Sequence, residues 1–127
     1  MRIYQVDAFT DVPFRGNPAG VCILDQPAGD EWMKAVAREM NLSETAFLLK
    51  EGDGYRLRWF TPKVEVRLCG HATLASSFTL YRLGLLRPDE EAHFYTLSGL
   101  LTARKHEDWI ALNFPAQIAR AAELPDG

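Results

Sequence analysis

The amino-acid sequence predicts an α+β domain in which a curled, mostly antiparallel sheet wraps around one central helix. Three observations lead there. Short apolar runs separated by turn formers recur at hairpin-like spacings, as antiparallel strands do. One segment, residues 30–41, has acidic residues in its first turn and apolar residues at helical spacing. Residues 71–81 contain no Asp, Glu, Lys or Arg, although 24% of the chain is charged, so that stretch belongs inside the protein.

In chain order, "RIYQVDAF" (2–9) sets Ile3, Val6 and Phe9 among polar neighbours and reads as an opening strand. "TDVPFRGNPAG" (10–20) is dense in turn formers. "VCILD" (21–25) is a short apolar run that suits a buried strand. The first helix follows over 30–41, with Trp32, Val36 and Met40 as its expected buried stripe. "TAFLLK" (45–50) and "YRLRWF" (55–60) flank Gly52-Asp53-Gly54 as a hairpin, the second run alternating Tyr55, Leu57 and Trp59 with Arg56, Arg58 and Phe60.

The uncharged segment comes next. From 70 to 83 every residue is compatible with a helix, and Ala72, Leu74, Ala75, Phe78, Leu80 and Leu83 cover most of its circumference. Such a helix must be surrounded by protein, and small residues (Ala72, Ala75, Ser76, Ser77) let strands approach it closely. Gly84 is its expected stop. "HFYTL" (93–97), "LLTARK" (100–105) and "WIALNF" (109–114) read as three closing strands. Residues 1–120 are assigned to a single domain and 121–127 to the start of a connector.

Composition narrows the classes of function. The 127 residues carry 14 basic and 17 acidic side chains, with the basic ones scattered, which argues against nucleic-acid or anionic-membrane partners. No apolar run approaches a membrane span, and the N-terminus lacks the apolar core of a signal peptide, so a cytoplasmic location is expected. Cys22 and Cys69 stand far apart and are expected to be reduced. Cys69-x-His71 resembles the opening of a metal site, but no second ligand pair follows at a zinc spacing, so no metal is expected.

Three places carry candidate chemistry. Gly70 and His71 open the buried helix, whose first backbone N–H groups lack partners and sit at its positive pole, a ready anion site. His71 would serve there as a hydrogen-bonding group or proton carrier; a tight strand-to-helix turn with a packed histidine is the plainer reading. Glu44 falls where the first helix gives way to a strand, between Leu42 and Phe47. A carboxylate flanked by apolar groups suits general acid–base work, and an exposed boundary glutamate suits the same pattern. Asn17, in the Gly-Asn-Pro turn, would orient a polar ligand, although turns select Asn regardless.

Taken together, "DAFTDVPFRGNPAGV", "AREMNLSETAFL", "FTPKVEVRLCGHATLA" and "SGLLTARKHEDWIALNFPA" resemble, in order, the motifs of the phenazine-biosynthesis (PhzF) isomerase-like family of the diaminopimelate-epimerase fold superfamily. The resemblance implies one of two pseudo-symmetric halves, each a curled sheet round a helix, with the active site in the cleft between them. It implies a cofactor-independent isomerase that moves a proton on a small amino-acid-like or cyclic carboxylate. By motif, Glu44 corresponds to the acid/base glutamate, Gly70 and His71 to the residues holding substrate, and Asn17 to a loop facing the cleft.

Cys69 corresponds to a catalytic thiol position of the epimerase branch. With a glutamate available and no paired second thiol, it is expected to line the site. The second half's Gly-Ser-Ala helix start and its opposing acid are missing from this sequence, so only the N-terminal half is represented. The expected partners are therefore the carboxylate substrate and either a second copy in a homodimer or a C-terminal domain. Two other classes stay open: a non-catalytic, self-dimerising small-acid-binding domain, and a hot-dog-type thioesterase, which shares the wrapped helix but not the ordered motifs.

Overall fold

The computed structural model describes residues 2–8, 17–42, 44–67, 69–107 and 109–113. Strands β1 (Arg2–Ala8) and β2 (Asn17–Leu24) lead into helix α1 (Asp30–Met40). Strands β3 (Glu44–Glu51), β4 (Gly54–Phe60) and β5 (Glu65–Val66) follow, then helix α2 (Gly70–Arg82) and strands β6 (Ala92–Thr96), β7 (Gly99–His106) and β8 (Trp109–Asn113). They form one sheet in the order β1-β2-β3-β4-β6-β7-β8, with β5 attached to β4. None of the described helices is long and apolar enough to cross a membrane. The connector assigned to 121–127 lies outside the described residues.

Five strand pairings are antiparallel, as the hairpin spacings predict, and two are parallel: β2 with β3, and β4 with β6. Each parallel pair is bridged by a helix, α1 in the first case and α2 in the second, because strands running the same way need a long crossover. The β4–β6 seam pairs only Tyr55 with Phe94 and Arg56 with Tyr95. It is drawn tight by Gly54, where a Cβ would stand 2.3 Å from the His93 carbonyl oxygen.

β2 begins earlier than its apolar run. Pro18 and Gly20 suggest a turn, yet both lie in the ladder with β1. The pairing with β3 starts only at Ala19, so at Pro18 β2 has one neighbour and its missing N–H is tolerated.

The helices lie on opposite faces of the sheet. Alternation sends Ala19, Val21 and Ile23 of β2, Ala46 and Leu48 of β3, and Tyr55, Leu57 and Trp59 of β4 to the α2 side, where they pack with Ala72, Ala75 and Leu80. Cys22, Phe47 and Phe60 face α1 and pack with Met33 and Ala37. The buried face of α1 is therefore one residue out of phase with the Trp32-Val36-Met40 stripe. Trp32 stays 40% exposed, touching Phe47 edge-on at 6.2 Å.

Helix α2 is held as the lack of charge requires, with one exception. Thr73, Ser76, Ser77 and Thr79 are buried because each hydroxyl donates to the carbonyl four residues back, at 2.7–2.9 Å. Their polar atoms thereby avoid the cost of about 1–3 kcal/mol for an unmet buried donor. Phe78, however, is 45% exposed. The edge strands β1 and β8 both touch α2 but do not pair with each other among the described residues, so the sheet curls round the helix without closing over it. Gly84 ends the helix as expected, at φ +78°, just beyond the Leu83 cap.

Candidate functional site

Glu44 is the first residue of β3, paired in parallel register with Ala19. It shares strand parity with Ala46 and Leu48, which places it on the α2 side of the sheet. Helix α1 ends at Asn41 in the left-handed conformation (φ 53°), which turns the chain back toward this rim. From the other direction, Cys69 in extended conformation caps α2 without a side-chain hydrogen bond, and Gly70 and His71 begin the first turn. That turn contains no acidic residue, in contrast to Asp30 and Glu31 in the first turn of α1, so no helix carboxylate occupies its N–H groups.

These two approaches bring Glu44, Cys69 and His71 together. Glu44 Oε1 stands 2.8 Å from His71 Nε2, and Cys69 Sγ lies 3.6 Å from His71 Nδ1. The Glu44–His71 distance is that of a hydrogen bond between a carboxylate oxygen and a ring nitrogen. His71 and Cys69 are each 8% exposed, whereas the Glu44 side chain keeps 20% of its surface and so forms the open side of the cluster.

The contact with His71 holds the Glu44 carboxyl below the usual carboxylate range, against the opposing effect of its partial burial. At neutral pH it is an ionised base. Burial pushes the Cys69 thiol up to about 12; the Ala72 and His71 backbone N–H groups favour its thiolate, and the Glu44 carboxylate opposes it. Cys69 is thus a protonated thiol at neutral pH, which suits a lining residue better than a nucleophile. Cys22, also free, is buried on the α1 side, away from this cluster.

Of the five residues singled out in the sequence, four meet here: Glu44, Cys69, Gly70 and His71. The Asn17 side chain is outside the described residues. Its backbone opens β2 two positions before Ala19, the register partner of Glu44, and so lies at the same end of the sheet. What the sequence did not reveal is that Glu44 touches His71 directly, with Cys69 on the other ring nitrogen. A shallow hollow lined by Leu24, Met33, Phe47 and Arg58 lies on the α1 side and shares no residue with this cluster.

Known proteins share this sequence pattern and this fold. A family model described as phenazine biosynthesis-like protein matches residues 6–122. An uncharacterized isomerase of Halalkalibacterium halodurans is 57% identical over 115 residues, covering 91% of this chain and 43% of its own length. Among solved structures, a phenazine biosynthesis protein of the PhzF family from Enterococcus faecalis superposes with a TM-score of 0.80 at 46% identity, over 85% of this chain and 41% of the other. A predicted epimerase from Pseudomonas aeruginosa superposes with a TM-score of 0.70 at 28% identity, over 86% of this chain and 40% of the other. The chain spans somewhat under half the length of the curated relatives it matches. On the extent of the family match and the identity to these relatives, the chain belongs to the phenazine biosynthesis-like (PhzC-PhzF) family.

Proposed function

We propose that this chain supplies one face of an isomerase that moves a proton on a small amino-acid-like or cyclic carboxylate without a cofactor. Glu44 takes the proton from substrate carbon, the electron pair is delocalised into the substrate, and Glu44 returns the proton at a different carbon or face. Gly70 and His71 anchor the substrate carboxylate at the N-terminus of α2, and Asn17 contributes from the start of β2 at the same end of the sheet. Groups acting from the opposite side come from a second half, either further sequence of a longer protein or another copy of this chain. The observation that carries the reading is the ionised Glu44 placed 2.8 Å from His71 at the start of the buried helix.

The test is solvent-deuterium exchange into candidate amino and cyclohexadiene acids, comparing the unmodified protein with Glu44→Gln. Exchange that falls by at least about a hundredfold supports the role, since general acid–base catalysis contributes about 10²–10⁴-fold. Equal exchange in both proteins removes it.

A second reading, a small-acid-binding domain that pairs with itself, is favoured by Leu97 and Leu100, 54% and 47% exposed at the β6–β7 turn. Ser98 ties that turn to the site's approach by donating to the Arg67 carbonyl at 2.7 Å. A clean monomer by sedimentation, with no acid bound, would count against it.

A further inference from the structure

The imidazole of His71 lies between two side chains of different character, the Glu44 carboxylate at Nε2 and the Cys69 thiol at Nδ1. An ionised carboxylate only accepts hydrogen bonds, and a neutral imidazole has one N–H to give and one lone pair to receive. At 2.8 Å, a proton on Nε2 makes the approach to Glu44 Oε1 attractive, whereas a proton on Nδ1 sets two lone pairs against each other. The geometry points to Cys69 as a positioning residue: its thiol donates to His71 Nδ1 and so holds the ring in the tautomer whose Nε2–H faces Glu44.

The placement of the sulfur supports donation in that direction. Cys69 Sγ is 3.6 Å from Nδ1, within reach of a sulfur donor. Cys69 occupies the cap position of α2 without a capping hydrogen bond, and the His71 and Ala72 backbone N–H groups face its sulfur. Those groups are donors, so the thiol hydrogen turns away from them. Burial keeps that hydrogen on the sulfur at neutral pH, with the thiol pushed up to about 12. The Cys69 carbonyl is pinned by the Thr73 N–H at 3.1 Å and the Thr73 hydroxyl at 2.7 Å, which fixes the backbone from which the thiol projects.

The consequence lies at Glu44. Oε1 is buried against His71, which leaves Oε2 to receive the substrate proton. This catalytic consequence rests on the proposed function; the hydrogen bond itself does not.

The test is long-range ¹H–¹⁵N NMR of the His71 ring, assigned with His71→Ala and recorded about two units above the ordinary imidazole pKa of about 6.5. The unmodified protein should show the Nε2–H form with Nδ1 accepting a hydrogen bond. In Cys69→Ala the Nδ1 resonance should move downfield and the Nδ1–H form gain population, while Cys69→Ser, still a donor, should restore both. In Cys22→Ser, whose remaining thiol is Cys69, the S–H infrared band should be lowered, and it should relax when His71→Ala is added. An imidazole held in the wrong tautomer costs a catalytic triad about 10⁴-fold, so one merely released should slow deuterium exchange less, about tenfold in Cys69→Ala, with recovery in Cys69→Ser.

An Nδ1–H tautomer in the unmodified protein, Cys69→Ala spectra that do not move, or Cys69→Ser spectra matching Cys69→Ala overturn the assignment. So does an S–H band that relaxes on Glu44→Gln instead of His71→Ala, which would give the thiol to the carboxylate. Equal exchange in Glu44→Gln and the unmodified protein removes the proposed function and leaves the spectra to decide the hydrogen bond. Lost exchange in Glu44→Gln with unmoved Cys69→Ala spectra keeps the function and removes the role of Cys69.

Discussion

Glu44 Oε1 and His71 Nε2, 2.8 Å apart, join the first residue of β3 to the first turn of α2. His71 is the leading reason the Glu44 carboxyl titrates low, and partial burial works against it. In His71→Ala the burial effect stays while its counterweight goes, so the Glu44 pKa should rise. Carbon-detected NMR titration of the Glu44 carboxyl measures this; a value unchanged from the unmodified protein would show that His71 does not control it. The sign of the linkage also follows. A depressed folded-state pKa contributes stability above the unfolded carboxylate value of about 4.5, and that contribution is lost as pH falls through the folded value.

His93 lies beside the narrow β4–β6 seam. Its Nε2 is 2.9 Å from Glu91 and its Nδ1 3.2 Å from Asp53, which also accepts from the Tyr95 hydroxyl. Arg104 faces the same Glu91 at 3.4 Å. Glu91 first, then Asp53, raises the His93 pKa above its ordinary 6.5, against a smaller desolvation effect. A raised pKa means stability fully present below 6.5 and lost as pH rises through the folded-state value. Urea midpoints of the unmodified protein and His93→Gln should therefore differ most near pH 5.5–6 and converge in alkali. High salt should shrink the gap, because Asp53 is largely exposed and Glu91 partly so. A pH-independent gap would assign His93 a packing role only.

Three glycines make a graded series. At Gly54 an added Cβ meets the His93 backbone oxygen at 2.3 Å, and backbone cannot swing aside. Gly54→Ala should cost about 3 kcal/mol, at the upper end of overpacking effects. At Gly20 the nearest atom, at 3.0 Å, is the tip of the flexible Met40 side chain, so Gly20→Ala should cost about 1 kcal/mol. At Gly29 a Cβ meets nothing within 4 Å, and Gly29→Ala should be neutral to within about 0.5 kcal/mol. Denaturant midpoints at constant slope rank the three.

Inside α2, Ser76 differs from its neighbour Ala75. The Ser76 hydroxyl donates to the Ala72 carbonyl, which still has its helical partner when the hydroxyl is gone, so Ser76→Ala should cost less than about 1 kcal/mol. Ala75 is 1% exposed against the sheet, and Ala75→Leu should cost about 1–3 kcal/mol by overpacking. The reverse order would mean that the hydroxyl ladder, and not the close approach of small residues, holds the helix in place.

Local chemistry made most elements legible. The start of α2 at Gly70 and its stop before Gly84 were readable because both are signalled by neighbouring residues. The phase of α1 was not. Trp32-Val36-Met40 and Met33-Ala37 are adjacent stripes of one helix, and the groove of the sheet decides between them by admitting the small Ala37. The parallel pairing of β4 with β6 was hidden for a different reason: α2 and its following turn separate the two strands, and nothing local encodes it. Glu44 and His71 were each legible as candidates. Their contact was not, since it depends on β3 and α2 meeting at the same rim.

The sheet between α1 and α2 divides the interior into two compartments that alternate along every central strand, Phe47 belonging to one and Leu48 to the other. Glu44, Cys69 and His71 all belong with the second. Substitutions among Met33, Ala37, Phe47 and Phe60 should therefore tune thermal robustness nearly independently of the chemistry, as separated sites usually add. An engineer seeking a hardier variant has one compartment to rework freely and another to leave alone.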